Sequence, residues 1–293
     1  MGRLRALALL LAAGCAAHPA KILDTHIHLY DTARPEGVPW PSKKEAVLYR
    51  PVLPAEYRAL AAANGVSGAV VVEASPWVED NRWVLDLVGG DAFFAGVVGN
   101  LQPGAPDFAA NLDRFRLVGI RARVDPAKPK VIEDLKELAK RKMSLDLLLP
   151  ATTLEQVVEI ARQVPDLTIV LDHLAGAKAD GAAPDAGRVS MLRAAAAYPN
   201  VVCKLSGLDQ QAGAARALDH YRPVLDVLWE AFGEDRLLYG SNWPVTLLRT
   251  DFSTHQRWVL DYVRPKGQAA LDKVFWRNAV RIYRVNAGEP HQR

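Results

Sequence analysis

The chain has 293 residues, of which 50% are hydrophobic and 24% are charged, as in an ordinary globular protein with a large core. Its formal net charge is +3, and without Arg3 and Arg5 it carries 34 basic against 33 acidic residues. This balance gives no indication of a nucleic-acid partner.

The first residues have the pattern of an export signal. Arg3 and Arg5 precede an apolar run over 6–13, which is too short to span a bilayer as a helix. The stretch that follows resembles a bacterial lipobox: Leu11-Ala12-Ala13-Gly14-Cys15. We therefore expect residues 1–20 to be a leader and short tether, and the mature protein to lie in the cell envelope, with a lipid on Cys15 as its membrane anchor. The alternative is a start that is not cleaved and a cytoplasmic protein.

Eight short apolar runs alternate with amphipathic segments along the rest of the chain. The runs cover 22–29, 69–73, 93–98, 118–123, 145–149, 167–173, 201–206 and 237–241. The amphipathic segments include 55–64, 130–142, 154–164, 189–198 and 214–232. Apolar strands between helices predict parallel strands buried on both faces, and eight such units predict a closed (β/α)8 barrel. An open doubly wound sheet is the alternative, but no Gly-rich phosphate turn follows the first run. We predict a single α/β domain over 21–285 and a tail over 286–293.

Polar residues lie at or near the ends of most of these runs. They are His26 and His28, Glu73, Arg121 and Arg123, Asp172 and His173, Lys204 and Ser206, and Ser241, Asn242 and Trp243. In a barrel the carboxyl ends of the strands surround the mouth, where the chemistry collects. His26 and His28 project to the same side because alternate strand residues share a face, and His173 would bring a third imidazole to them. Asp172 has the opposite parity to His173, so we expect it to face the helices.

The longest connection runs from Tyr30 to Pro54 and is rich in proline and aromatic residues. Since it follows the first strand, it would lie over the mouth as a candidate lid. A surface loop packed by its own aromatic side chains is the alternative.

Six ordered motifs span nearly the whole mature chain. They are DTHIHLYD at 24–31, GIRAR at 119–123, LDHLAG at 171–176, KLSGL at 204–208, YGSNWPV at 239–245 and NAVRIY at 278–283. Through them the chain resembles the amidohydrolase superfamily, specifically its amidohydrolase-2 branch. The greatest similarity is to the sugar-lactonase group with L-fuconolactonase, L-rhamnono-lactonase and 2-pyrone-4,6-dicarboxylate lactonase. The resemblance implies a distorted TIM barrel in which His26, His28 and His173 match the family's histidines. The family's strand-eight acid corresponds to Asn242, which is a departure.

Two residues make a metal site less favourable than in other members of the superfamily. Arg121 places a fixed cation on strand four, where it repels a divalent ion, and Asn242 supplies no negative charge. We therefore favour no metal cofactor. If a metal binds, zinc on His26, His28 and His173 is the best candidate.

The resemblance implies a hydrolase that opens a small sugar-acid-type lactone by attack of water at the barrel mouth. We expect Arg121, with His26 and His28, to polarise the ester carbonyl. Asn242 cannot be the base, because a carboxamide does not titrate usefully. Three alternatives follow for the catalytic base. His173 is the base, or a metal-bound hydroxide attacks the lactone, or the protein has lost hydrolysis and retains only binding.

Four further residues are candidates for contacts with a polyhydroxylated substrate: Glu73, Lys204, Ser206 and Trp243. The alternative functions are a metal-dependent hydrolase or decarboxylase of the same family, and a non-catalytic carbohydrate-binding barrel. The sequence does not indicate an oligomeric state.

Overall fold

A computed structural model of the protein describes residues 17–149 and 152–285. Cys15 and the tail over 286–293 lie outside the described residues. Eight parallel strands form one sheet in chain order, and a bridge between Ile27 and Trp243 brings the segment after the last strand back to the first. The predicted TIM barrel is confirmed. The strands are β1 (Leu23–Ile27), β2 (Gly68–Val72), β3 (Phe94–Gly99), β4 (Gly119–Arg121), β5 (Ser144–Leu147), β6 (Thr168–Leu171), β7 (Val201–Leu205) and β8 (Leu237–Tyr239).

Helices surround this barrel. They are α1 (Pro54–Ala63), α2 (Asp80–Val88), α3 (Phe108–Arg114), α4 (Pro129–Lys140), α5 (Leu154–Gln163), α6 (Ala186–Ala196), α7 (Leu208–Ala212), α8 (Leu218–Phe232), α9 (Phe252–Val263), α10 (Gln268–Asp272) and α11 (Asn278–Tyr283). The segment predicted over 214–232 is helical only from Leu218, because Gly213 ends α7 in the left-handed conformation and an irregular link follows. Helix α6 begins earlier than predicted, since the Asp185 side chain caps it by accepting from the N–H of Arg188. Among the described residues, no helix combines the length and the apolar character that a membrane crossing requires.

The apolar side chains form two cores. The larger core lies between the strands and the helices, and the smaller one fills the barrel interior with residues such as Val70, Val170 and Leu238. Helix α11 closes the amino-terminal end of the barrel, where Ile282 and Tyr283 pack into the inner core. The described inner core thus fills the amino-terminal part of the barrel and leaves its carboxyl-terminal end open for a site.

The connection between Tyr30 and Pro54 lies against that carboxyl-terminal end, as predicted. Tyr30 and Val52 exchange backbone hydrogen bonds of 3.0 and 2.8 Å, which close the loop at its base. The Tyr30 hydroxyl donates to the carbonyl of Leu48 at 2.8 Å. The Trp40 ring packs edge-on against His28, with 5.7 Å between centroids. This connection, the candidate lid, is thus anchored to the first strand at the point where the two predicted histidines lie.

Candidate active site

A cleft of about 730 Å³ opens at the barrel mouth. The ends of five strands and their following turns contribute His28, Glu73, Arg121, His173 and Asn242, and the lid contributes Trp40, Glu45 and Leu48. Its size is within the range of small-molecule sites. All four of the other predicted residues lie outside its lining: His26, Lys204, Ser206 and Trp243.

The turn after β6 brings His173 to the cleft. The strand ends at Leu171, and His173, Leu174 and Ala175 all adopt left-handed backbone conformations with φ between 49° and 57°. Such conformations cost of order 1–3 kcal/mol each for residues other than glycine, and they persist where the surrounding structure imposes them. The turn therefore places the His173 ring at the mouth although strand alternation alone would not.

The neighbouring strand fixes the tautomer of His28. Its Nδ1 lies 3.1 Å from the backbone carbonyl of Val72, which can only accept a hydrogen bond. Nδ1 therefore carries the proton, and the neutral ring presents the lone pair of Nε2. Burial, assisted by the nearby Arg121 cation, lowers the pKa of His28 to about 3. His28 is thus an acceptor near neutral pH, and it does not polarise a carbonyl as the sequence analysis expected.

The Ser206 side chain fixes the position of His173 through two contacts. The Ser206 hydroxyl oxygen accepts from the backbone N–H of His173 at 3.3 Å and lies 2.9 Å from Nδ1 of the same residue. The described residues offer the Ser206 proton no other acceptor, so it is best satisfied by donation to Nδ1. This arrangement leaves the proton of neutral His173 on Nε2. Gly207 adjoins the ring: a Cβ there would lie 3.0 Å from Nδ1, and its φ of 62° suits glycine.

Arg121 is held rigidly at the edge of the cleft. Its Nε donates to Oε1 of Glu73 at 2.7 Å, and its Nη2 donates to the backbone carbonyl of Glu73 at 2.8 Å. Nη1 lies 3.7 Å from Oδ2 of Asp172. Glu73 therefore lines the cleft as predicted, and it also fixes the guanidinium that is the main positive group there.

Asp172 points into the barrel, so the prediction that it faces the helices is wrong. Val170 belongs to the inner core, and Asp172, two residues later, keeps the same inward side. Its Oδ1 lies 3.0 Å from Nζ of Lys204 and 3.4 Å from Nδ1 of His26. Burial disfavours the carboxylate, but Lys204 and His26 hold the pKa of Asp172 well below its usual range. Asp172 is thus the anionic centre of the site.

Lys204 lies beneath the cleft and is fully buried. Its Nζ donates to Oδ2 of Asp146 at 2.7 Å and lies 3.4 Å from Nδ1 of His26. Burial disfavours the ammonium, but Asp146 and Asp172 outweigh this effect and raise the pKa of Lys204. Asp146 is held in turn by Tyr283, whose hydroxyl donates to Oδ2 at 2.7 Å. Asp146 was not among the predicted site residues, although a single acid inside the apolar run 145–149 was a signal for it.

The predicted substrate contacts of Lys204, Ser206 and Trp243 need correction. Two carboxylates enclose Lys204, and Ser206 is occupied with His173. Trp243 is only 1% exposed, and its ring packs on Tyr57 with 5.2 Å between centroids. His26 is also fully buried and reaches the cleft only through its neighbours.

Asn242 forms the opposite side of the mouth. Its backbone N–H donates to the carbonyl of His26 at 2.9 Å, and its Nδ2 donates to Oε1 of Gln210 at 3.1 Å. Its φ of 59° is a left-handed conformation that asparagine tolerates. Two residues before it, Gly240 lets β8 approach β1, since a Cβ there would lie 2.8 Å from Cβ of His26. Asp24, a second missed residue, braces this junction by accepting from the N–H of Ser241 at 2.8 Å.

Three of these side chains include the atom types that bind zinc. His26, Asp172 and His173 each offer a ligand atom, and all three atoms lie within 4.8 Å of one another. Both oxygens of Asp172 and Nε2 of His26 have no hydrogen-bond partner among the described residues. However, Asp172 already faces the charges of Lys204 and Arg121. The donors therefore suit zinc in type and spacing, whereas the Lys204 ammonium, 3.0 Å from Asp172, places a positive charge beside them that repels a divalent ion.

Comparison with known proteins gives consistent matches along the chain. The Amidohydro_2 model, described as amidohydrolase, matches residues 23–285. An L-fucono-1,5-lactonase of Burkholderia ambifaria is 32% identical over 288 residues, which cover 92% of this chain and 98% of that protein. A crystal structure of an amidohydrolase of Burkholderia multivorans with bound HEPES is 27% identical, with a TM-score of 0.82 over 91% of this chain and 100% of that one. A second crystal form of it, with bound Zn, is 26% identical, with the same TM-score and coverage.

Proposed function

Because the chain belongs to the amidohydrolase family and is a hydrolase, we propose that it opens a small sugar-acid-type lactone by attack of water. The relative from Burkholderia ambifaria is named for this reaction class. The observation that carries the proposal is the pairing of His28 and Arg121 in one cleft. A neutral imidazole with a free lone pair and a fixed guanidinium are the base and the oxyanion partner that the hydrolysis of an ester needs.

The mechanism uses residues of this chain. Nε2 of His28 takes a proton from a water molecule as the water oxygen adds to the lactone carbonyl carbon. Arg121 and the Nε2–H of His173 stabilise the oxyanion that forms on the carbonyl oxygen. The intermediate collapses, the ring C–O bond breaks, and the leaving alkoxide takes the proton from His28. The product is a hydroxy acid that loses its carboxyl proton to the solvent, and the resulting carboxylate faces Arg121.

Arg121 links the strength of the base to the progress of the reaction. In the free enzyme its charge contributes to the lowered pKa of His28, which makes His28 a weak base. As negative charge develops on the carbonyl oxygen beside Arg121, it offsets that charge and makes proton transfer to His28 easier. This assignment exchanges the roles that the sequence analysis gave to His28 and His173.

Amide side chains supply contacts for the hydroxyl groups of the substrate. Asn100, Gln102, Gln210 and Asn242 all line the cleft. Asn242 can bind a ring hydroxyl through its carbonyl oxygen, since its Nδ2 is bonded to Gln210. We propose that this part of the cleft selects a polyhydroxylated ring.

The test is a pH-indicator assay of the purified protein over a panel of aldonolactones that includes L-fucono-1,5-lactone, compared with the Arg121→Met variant. Turnover by the wild-type protein and its loss in the variant are expected. A folded protein that turns over no lactone, but whose melting temperature rises with the parent sugars, would instead favour the carbohydrate-binding alternative.

We also propose export to the cell envelope with a lipid on Cys15, on the basis of the sequence alone. The described residues give the consequence for orientation. The carbonyls of Ala17 and His18 accept from Arg264 and Gln268, close to the start of β1 and opposite the mouth. A lipid at Cys15 would therefore leave the cleft facing away from the membrane. Mass spectrometry of the mature N-terminus tests the acylation.

A further inference from the structure

The buried cluster beneath the cleft contains its own cation. Nζ of Lys204 lies 2.7 Å from Asp146, 3.0 Å from Asp172 and 3.4 Å from Nδ1 of His26. Two of these neighbours, Asp172 and His26, belong to the trio whose ligand atoms lie within 4.8 Å of one another. We propose that Lys204 occupies this cluster in competition with a divalent metal ion, and that its side chain is the reason why the cluster does not hold zinc.

The charges around the cluster support this competition. Three carboxylates, on Glu73, Asp146 and Asp172, face two cations, on Arg121 and Lys204. Their sum is −1, so an added zinc ion brings it to +1. When Lys204 is replaced by a neutral residue the sum is −2, and one zinc ion makes the cluster neutral. A buried site favours the arrangement with the smaller net charge.

The buried atoms without hydrogen-bond partners among the described residues show which metal ligands become available when Lys204 is replaced. The contacts of Asp172 with Lys204 and Arg121 are ion pairs, and neither carboxylate oxygen makes an aligned hydrogen bond with the described residues. Nε2 of His26 is likewise buried without a partner. Without the ammonium, these atoms and His173 form a His₂Asp set of the kind that zinc accepts with one open position. Lys204 is therefore a residue that determines metal selectivity, and it does not contact the substrate.

The experiment measures zinc binding directly. Full-length wild-type protein, Lys204→Met and Lys204→Gln are purified with a chelator, and bound zinc is measured by mass spectrometry after equilibration with Zn²⁺ alone. We expect both variants to bind one equivalent, at least about a hundredfold more tightly than wild type. Co²⁺ should give the variants the absorption spectrum of a four-coordinate site. Lys204→Gln is close to lysine in length and can donate to Asp146, so it provides a second variant if the methionine variant does not fold.

Two control variants locate the bound ion. Asp146→Asn leaves the ammonium beside Asp172, so it should gain no zinc. Adding Asp172→Asn to Lys204→Gln should remove the gained equivalent. The proposal is overturned if wild type already retains one equivalent that Asp172→Asn abolishes, or if a folded Lys204 variant binds no more zinc than wild type. Because the readout is bound metal, it stands apart from the lactonase assay, and either proposal can fail alone.

Discussion

The two sides of the mouth are built from different interactions. Arg121 at one edge of the mouth, with Asp172 and Lys204 beneath it, forms a charged wall in which each ion contacts another at 3.0 to 3.7 Å. On the other side Asn242 and Gln210 form an amide wall, joined by one neutral hydrogen bond of 3.1 Å. Ion pairs in a buried place are costly to break, whereas an amide can rotate and exchange donor for acceptor. We infer that the charged wall carries the chemistry and that the amide wall adapts to the substrate.

The difference between the two walls also explains how the site can have Asn242 where the family resemblance expects an acid. In the family resemblance this position is an acid, and here the anionic centre of the site is Asp172, on the opposite wall. In the proposed mechanism the base is also a different residue, His28, because Val72 fixes its ring with the Nε2 lone pair free. The negative charge and the proton acceptor of the site are thus supplied without a strand-eight carboxylate.

The largest effect should follow the loss of His28. Asn in its place can still donate to the carbonyl of Val72 but cannot take a proton, so we expect the lactonase kcat to fall about 10²- to 10⁴-fold. Steady-state kinetics give the comparison, with the exposed His18→Asn as the control. A variant that retains wild-type kcat would show that the base lies elsewhere.

The pH profile of the wild-type enzyme tests the same assignment. Since the pKa of His28 is lowered to about 3, the ring stays neutral as the pH falls below the ordinary histidine range. We expect kcat/KM to stay level from neutral pH to about pH 5 and to fall only below about pH 4. A fall centred near pH 6.5 would point to a base with an unperturbed pKa.

The charged wall should also dominate stability. Asp172→Asn removes one of the two carboxylates that face the buried Lys204 and one of the two that face the partly buried Arg121, so we expect the free energy of unfolding to fall by about 3–5 kcal/mol in urea titrations. The matched control is Asp219→Asn on α8, whose partner Arg222 lies at the surface and whose loss should cost at most about 1 kcal/mol. Equal effects in the two variants would contradict the distinction between the walls.

Arg121→Lys keeps the charge but loses the planar arrangement that Glu73 holds. We expect kcat/KM to fall about 10²- to 10³-fold, mainly through kcat, because the donor no longer faces the developing oxyanion. Arg123→Lys, at an exposed position of the same cleft, serves as the control and should change kcat/KM less than about tenfold. A fall in binding alone would instead assign Arg121 to substrate affinity.

The amide wall should give the smallest effect. In Asn242→Asp, a half-turn of the Gln210 amide lets it donate to the new carboxylate, and aspartate also tolerates the left-handed backbone. We expect kcat/KM to stay within about tenfold of wild type or to rise. A loss of kcat/KM as large as that of Arg121→Lys would show that catalysis is equally sensitive to substitutions in the two walls.

The barrel and the lining of the mouth were predictable because buried parallel strands read as apolar runs and polar residues mark their ends. The direction of Asp172 was not, since the parity argument assumed that the strand continues through His173, whereas β6 ends at Leu171. The tautomer of His28 could not be predicted from the sequence either, because it depends on which backbone carbonyl of β2 lies beside the ring. Asp146 was hidden within an apolar run, where one acid is usually a surface residue.

The hydrogen bond of the Tyr283 hydroxyl determines when the buried ions can be enclosed during synthesis of the protein. It bonds Asp146, and through Asp146 and Lys204 it is connected to Asp172 beside the cleft. Tyr283 lies on α11, which follows all eight described strands in the sequence, so it leaves the ribosome after they have been synthesised. Until then, the charged interior lacks its closing helix and stays open to water at the amino-terminal end. The ions of the mouth can therefore be fully sealed from solvent only after α11 has been synthesised.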